Sequence, residues 1–211
     1  MPKLIFLGAG GIAIVAAEIA RLRGLEVAGF LDENAEKHGT TFCGAKVLGN
    51  FDMLPQLRRD GLEHAVIAFG NCYGRIKFAQ KAVSHGFSLP NLIHPSAIVS
   101  PNTILEHGAI LMPGTIINAG SRIGTNIIVN TAASIDHECQ IGDGVHIGPG
   151  SRLSGLVTIG NASWIGIGSV IRESIKIGSN VLVGAGSLVL KDIPDDVVAF
   201  GSPAKVIRPN C

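Results

Sequence analysis

At 211 residues, 46% hydrophobic and only 16% charged, the chain is long and apolar enough to bury a real core. A formal net charge of +1 with no Lys/Arg run gives no electrostatic support to a nucleic-acid partner or an anionic membrane surface, so any phosphate-bearing ligand must be held locally. Cys43, Cys72, Cys139 and Cys211 form no CxxC pair and no framework spacing, which fits free thiols in a reducing compartment and predicts a cytoplasmic protein.

The opening stretch "MPKLIFLGAGGIAIVAAEIA" has the basic residue and apolar run of a secretory leader, but Gly8, Gly10 and Gly11 break the run and Glu18 lies in its helical half. It reads instead as a buried strand, "KLIFLGAG", and an amphipathic helix, "GIAIVAAEIARLRG", closed by Gly24. "LEVAGFLD" follows as a second strand, "FDMLPQLRRDG" as a short helix, "EHAVIAFGN" as a third strand and "YGRIKFAQKAVSHG" as a third helix. Alternating strand and helix predicts a parallel α/β sheet over residues 1–90, with the Pro-containing "LPNLIHPSA" leading into a second domain over 91–211. No stretch approaches the roughly 20 apolar residues needed to cross a bilayer.

Gly8, Gly10 and Ala13 satisfy G-x-G-x-x-G/A between strand and helix, with Gly11 beside them, and Asp32 ends the next strand about where a ribose-binding acid would lie. Glycines let the backbone approach a pyrophosphate, and the helix start supplies N–H groups and partial positive charge. Tight packing of helix on strand, with no ligand, is the competing explanation. A stretch of about 90 residues supplies only one of the two βαβαβ halves of a dinucleotide fold. A mononucleotide, such as the nucleoside diphosphate of an activated sugar, therefore fits better than NAD.

From Ala97 to Asp192 the chain divides into sixteen hexads without a gap, and the third position, from Val99 to Val189, is aliphatic every time. A period of six fits neither a 3.6-residue helix nor hairpins; it predicts a parallel β-helix, with three hexads to an 18-residue coil and the aliphatic residue in the shaft. Ten of the sixteen sixth positions are Gly or Asn, as corners of positive φ favour.

Within this tract "SIDHECQIGDGVHIGPG" places His137 at an outward corner beside Glu138, a carboxylate able to orient an imidazole and favour its protonated form. Gly155 is one coil further on and stacks over His137; Cys139 falls on the inward face and reads as a small core residue rather than a nucleophile. His146, beside shaft residue Ile147, is expected to project outward from another side of the prism. Zinc would require His107, His137 and His146 to converge, but His107 and His137 are not a whole number of coils apart, so no metal is expected.

The hexads, with the closing "DIPDDVVAFGSPAKVIRP", resemble the hexapeptide-repeat acyltransferases. The order of half-Rossmann domain, "NLIHPSA", hexads and "HEC" is similar to the sugar O- and N-acetyltransferases of bacterial glycan synthesis. The nearest in pattern acetylate UDP-linked 4-amino-4,6-dideoxy sugars, with the GDP-perosamine N-acetyltransferases and the sialic acid O-acetyltransferases nearby. This resemblance implies a left-handed β-helix, a homotrimer, acetyl-CoA as co-substrate and a small domain that binds the sugar nucleotide, its glycine loop near the diphosphate. It makes His137 the general base, oriented by Glu138, and His146 the contact of the acetyl group, with Gly155, Ile167 and Ala185 near the pantetheine arm. "IAFGNCYGR" matches the family stretch G-N-x-x-x-R, so Asn71 and Arg75 become candidates for ligand contact or for shaping the pocket. One departure stands out: the family loop reads GAxGHG, whereas this chain has Ile12-Ala13 in place of His-Gly. Two alternatives stay open, a sugar O-acetyltransferase of the sialic acid kind and a non-catalytic sugar-nucleotide scaffold; the retention of His137, Glu138 and His146 counts against the scaffold.

Overall fold

The computed structural model describes residues 2–210. The chain divides into two compact units between Pro95 and Ser96. The first unit carries β1 (Lys3–Leu7), α1 (Gly11–Leu22), β2 (Glu26–Leu31), β3 (Thr41–Phe42), β4 (Ala45–Gly49), α2 (Leu54–Arg59), β5 (His64–Ile67) and α3 (Cys72–Ser84), with the sheet ordered β3-β4-β2-β1-β5. All its pairings are parallel except the β3–β4 hairpin. Leu4 to Leu7 are all buried, the continuous apolar run expected of a parallel strand covered on both faces. Ile5 and Leu7 enter a cluster with Leu54, Leu57, Ala79 and Ala82 from α2 and α3, while Phe6 meets Phe30 on the opposite face.

Helix α1 stops as the sequence predicts. Gly24 takes φ +72°, and the N–H groups of Leu25 and Gly24 bond back to Ala20 O and Arg21 O, a Schellman ending. The β3–β4 hairpin is an element that the sequence reading lacks. Its turn is Cys43-Gly44, both at positive φ, rather than the Asn-Gly pair that signals such a turn.

The second unit is a left-handed parallel β-helix of two-residue strands. Each strand pairs with the one 18 residues on, as in Ile117↔Ile135, Ile135↔Leu153 and Ile147↔Ile165. Three flat sides result. Their outward rows run through Ile98, Ile116, Ser134, Arg152 and Val170 on the first side, Ile104, Arg122, Gln140, Thr158 and Lys176 on the second, and Ile110, Ile128, His146, Trp164 and Leu182 on the third. Shaft residues from Leu111 to Val189 are buried, whereas Val99 and Leu105 at the first end are only half-buried. The sixth position of each hexad from Gly108 to Gly186 has positive φ, glycine or not. Ala132, Glu138, Leu156, Ala162 and Ser174 therefore adopt a conformation that costs an L-residue roughly 1–2 kcal/mol, held by the ladder on either side. Buried Ser151, Ser163 and Ser169 donate across the corner to Gly166 O, Gly178 O and Gly184 O, which lets hydroxyls sit inside the shaft. Val197–Gly201 extends the third side along Leu182–Val183 and turns back antiparallel through Ala204–Pro209. Among the described residues no helix is long and apolar enough to cross a membrane.

Candidate active site

The residues singled out from the sequence fall into two groups, one in each unit. In the first unit the ends of β1, β2 and β5 open onto a cleft of about 470 Å³ lined by Gly8, Asp32, Glu33, Phe51, Phe69, Asn71, Gly74, Lys77 and Phe78. Since β2 and β5 flank β1 on opposite sides, this is the switch point of the sheet, where open α/β folds bind ligands.

Asp32 braces the loop itself. Its Oδ2 accepts from Ala9 N–H (2.8 Å) and Lys37 Nζ (2.9 Å), its Oδ1 accepts from Asn34 N–H (3.0 Å), and Lys37 also donates to Ala9 O. Burial pushes the carboxyl upward, but these donors outweigh it and hold Asp32 below the ordinary carboxylate range. The two motif glycines differ in kind. Gly8 has φ +106° and a Cβ there would lie 2.9 Å from Ala68 O, so the fold alone requires glycine. Around Gly10 and Gly11 an added Cβ meets nothing within 4 Å. We expect Gly10→Val to fold and melt as wild type does, which thermal melting checks, so that any loss of ligand binding in it reports on the loop and not on the fold. Gly8→Val is the poorer probe, because it disturbs the β1–β5 junction directly.

Of Asn71 and Arg75, Asn71 lines this cleft and Arg75 does not. Asn71 caps α3, its side chain accepting from Gly74 N–H at 2.6 Å. Arg75 is 1% exposed and donates to Gly70 O (2.7 Å) and Phe69 O (3.1 Å), so its guanidinium fixes the turn leading into α3; burial lowers its pKa from the ordinary value. Sequence reasoning missed the aromatic wall. Phe51 stacks on Phe69 and meets Phe78 edge-on at 4.6 Å, and Glu33 Oε1 accepts from Phe51 N–H. The available signal was that Phe51 and Phe69 each follow a strand end, the loops from which α/β ligand sites are built.

In the prism, His137 stands at the corner between the first and second sides with its side chain 54% exposed. Its Nδ1 lies 3.1 Å from Glu138 Oε2, which puts the proton on Nδ1 and leaves Nε2 as the acceptor; among the described residues Nε2 has no hydrogen-bond partner. Gly155 is the floor beneath the ring, since a Cβ there would lie 2.5 Å from both Cε1 and Nε2. Glu138 is held at φ +57°, where glycine would be easier, so the fold tolerates backbone strain at the residue that orients the imidazole. Cys139 is fully buried, donates to Ser154 O and has its thiol pushed up by burial, an inert small core residue.

His146 points out of the third side, as alternation requires, but it is not the exposed residue that the sequence suggests. It is 3% exposed, its ring stacked on Trp164 at 4.9 Å and 9°, with Asn130 Nδ2 3.2 Å from Nε2. Trp164 was missed, although it lies one 18-residue coil after His146. Ile167 and Ala185 share the column of Pro149 at the corner between the third and first sides, both exposed. A single chain thus joins Gly155 to His137 but leaves His146, Ile167 and Ala185 on other edges of the prism. Among the described residues no group of three or more His, Cys, Asp or Glu side chains is arranged to hold a metal ion.

A glycine-loop α/β unit ahead of a hexad prism with a histidine at its corner defines a hexapeptide-repeat transferase. The family model of the PglD N-terminal domain matches residues 3–82, and that of the bacterial transferase hexapeptide (six repeats) matches residues 157–191. A mutant of perosamine N-acetyltransferase from Caulobacter crescentus, solved in complex with CoA and GDP-perosamine, is 40% identical over 98% of this chain and 97% of its own, with a TM-score of 0.95. The acetyltransferase domain of PglB from Neisseria gonorrhoeae, in complex with acetyl coenzyme A, is 38% identical over 97% of this chain and 98% of its own, with a TM-score of 0.90. WeeI from Acinetobacter baumannii is 25% identical over 98% of this chain and all of its own (100%), with a TM-score of 0.88. The chain belongs to the family of hexapeptide-repeat sugar acetyltransferases that these proteins represent.

Proposed function

We propose that the protein transfers the acetyl group of acetyl-CoA to the 4-amino group of a nucleotide-linked 4-amino-4,6-dideoxy sugar. The observation that carries this reading is the His137–Glu138 pair, an exposed imidazole with Nδ1 anchored and Nε2 without a hydrogen-bond partner among the described residues. His137 Nε2 takes a proton from the amine as its nitrogen attacks the thioester carbon; the N–C bond forms, the C–S bond breaks, and CoA leaves as the thiolate, which the same proton can neutralise. Gly155 N–H and His146 face the acetyl carbonyl, with Ile167 and Ala185 beside the pantetheine arm. Residues 1–90 hold the sugar nucleotide, with Gly8, Gly10 and Gly11 at the diphosphate, and residues 91–211 hold acetyl-CoA. The resemblance supports this division, and the perosamine enzyme was solved with both CoA and GDP-perosamine bound. Incubating the protein and acetyl-CoA with GDP- and UDP-linked 4-amino sugars and with free sialic acid, and following thiol release, tests the function. Release with none of them overturns it, and release with sialic acid alone favours the O-acetyltransferase.

The working unit is a cytoplasmic homotrimer with its site shared between chains. His137 and His146 leave different sides of one prism, so neighbouring prisms must supply one each. The first side supports this, since Ile98, Ile116 and Val170 stand exposed along it. His137→Ala and His146→Ala chains, each inactive alone, are expected to regain partial activity when dissociated and reassembled together, because every mixed trimer contains one cleft with both histidines. Mixtures as inactive as their parents, or full activity from a monomer, contradict the shared site.

A further inference from the structure

We infer that Asp136 is a positioning residue for His137: its Oδ1 accepts both the His137 backbone N–H and the Asn118 side-chain amide, each at 2.8 Å, tying the histidine corner to the coil before it. The inference rests on His137 being the base in the proposed reaction.

His137 needs such a brace. An exposed ring has little packing to fix it, and the side-chain contacts that define it come from Glu138 on one edge and Gly155 beneath. Glu138 is itself in a left-handed conformation, which persists only where the surroundings over-determine the backbone. Glu138 N–H bonds to Ala119 O after the histidine, and Asp136 holds the chain before it. Along its own edge of the prism the brace is particular to His137. Among the described residues, Ala119 and Gly155, which occupy the same corner one coil before and after, donate no hydrogen bond from their N–H, whereas at another corner Asn130 Oδ1 accepts from Thr131 N–H in the same way. Asn118 lies directly below Asp136 in the stack, so the crosslink runs along the prism axis and resists rotation of the corner away from the coil beneath. A shift of about 1 Å in a reacting group can cost on the order of 10²-fold in rate, so an unbraced base loses turnover without losing substrate.

The test compares Asp136→Ala, Asp136→Asn and His137→Ala in steady-state kinetics with acetyl-CoA and GDP-perosamine, or a UDP-linked 4-amino sugar where that is the better acceptor. Asp136→Ala should lower kcat roughly 10- to 100-fold with both KM values within about twofold of wild type. Asp136→Asn keeps an amide oxygen able to accept both bonds and should recover most of the rate. Thermal melting identifies a variant that has lost its fold, and in that case Asp136→Asn and Asn118→Ala carry the comparison. Wild-type kcat in Asp136→Ala, an Asn variant as impaired as the Ala variant, or a loss confined to KM overturns the positioning role. If His137→Ala also turns over normally, it is the general-base reading that fails; if His137→Ala is inactive and Asp136→Ala is not, only the brace is wrong.

Discussion

Replacing His137 with alanine is expected to lower kcat by roughly 10²- to 10⁴-fold, the usual worth of a general base, with little change in melting temperature or acetyl-CoA affinity. The fold has little to lose there. The side chain is more than half exposed, its hydrogen bond is to an equally exposed Glu138, and the ladder bonds of the corner run through backbone atoms that alanine keeps. A solvent-exposed hydrogen bond of this kind contributes little to stability, so the loss should fall almost wholly on the chemical step. Single-turnover measurement with both substrates saturating separates chemistry from product release; a rate within about threefold of wild type would remove His137 from the base role.

Gly155→Ala should have the second largest effect, and by a different route. The backbone of Gly155 is not in the left-handed region, so alanine introduces no φ strain, and the Gly155 N–H remains. What it introduces is a methyl 2.5 Å from His137 Cε1 and Nε2, a separation that real Cβ atoms do not show. The backbone is fixed by the Leu156 N–H bond to His137 O, so the movable partner is the exposed imidazole, which must swing off its floor. A displaced base predicts a fall of about 10²-fold in kcat with unchanged melting. The double variant Gly155→Ala, His137→Ala should be no slower than His137→Ala alone, since both act through one ring. Additive losses would instead show that the added methyl also disturbs the Gly155 N–H at the acetyl carbonyl.

The prism was legible in the sequence because its code is local and repeated. An aliphatic residue every sixth position fixes which side chains enter the shaft, and the 18-residue register then places Gly155 against His137 and Trp164 against His146. Gly24 closed α1 for the same reason, a single residue whose φ serves one purpose. The first unit was legible as alternating strands and helices but not in its details. The β3–β4 hairpin hid behind a Cys43-Gly44 turn, and the Phe51, Phe69 and Phe78 wall joins residues from three separate segments.

By itself the sequence determined the repeat, the inward and outward faces, the glycine loop and the histidine pair, because each depends on residue type at fixed local spacing. Only the tertiary structure decided what the polar atoms do: Asp32 holding the glycine loop, Arg75 buried against Phe69 O and Gly70 O, His146 stacked under Trp164, and Asp136 bracing the corner of His137. A hydrogen bond depends on where two atoms end up within about 3 Å of one another, which residue type alone does not fix: folding brings Ala9 to Asp32 and Asn118 to Asp136, and sets the turn that lets Arg75 reach Gly70 O.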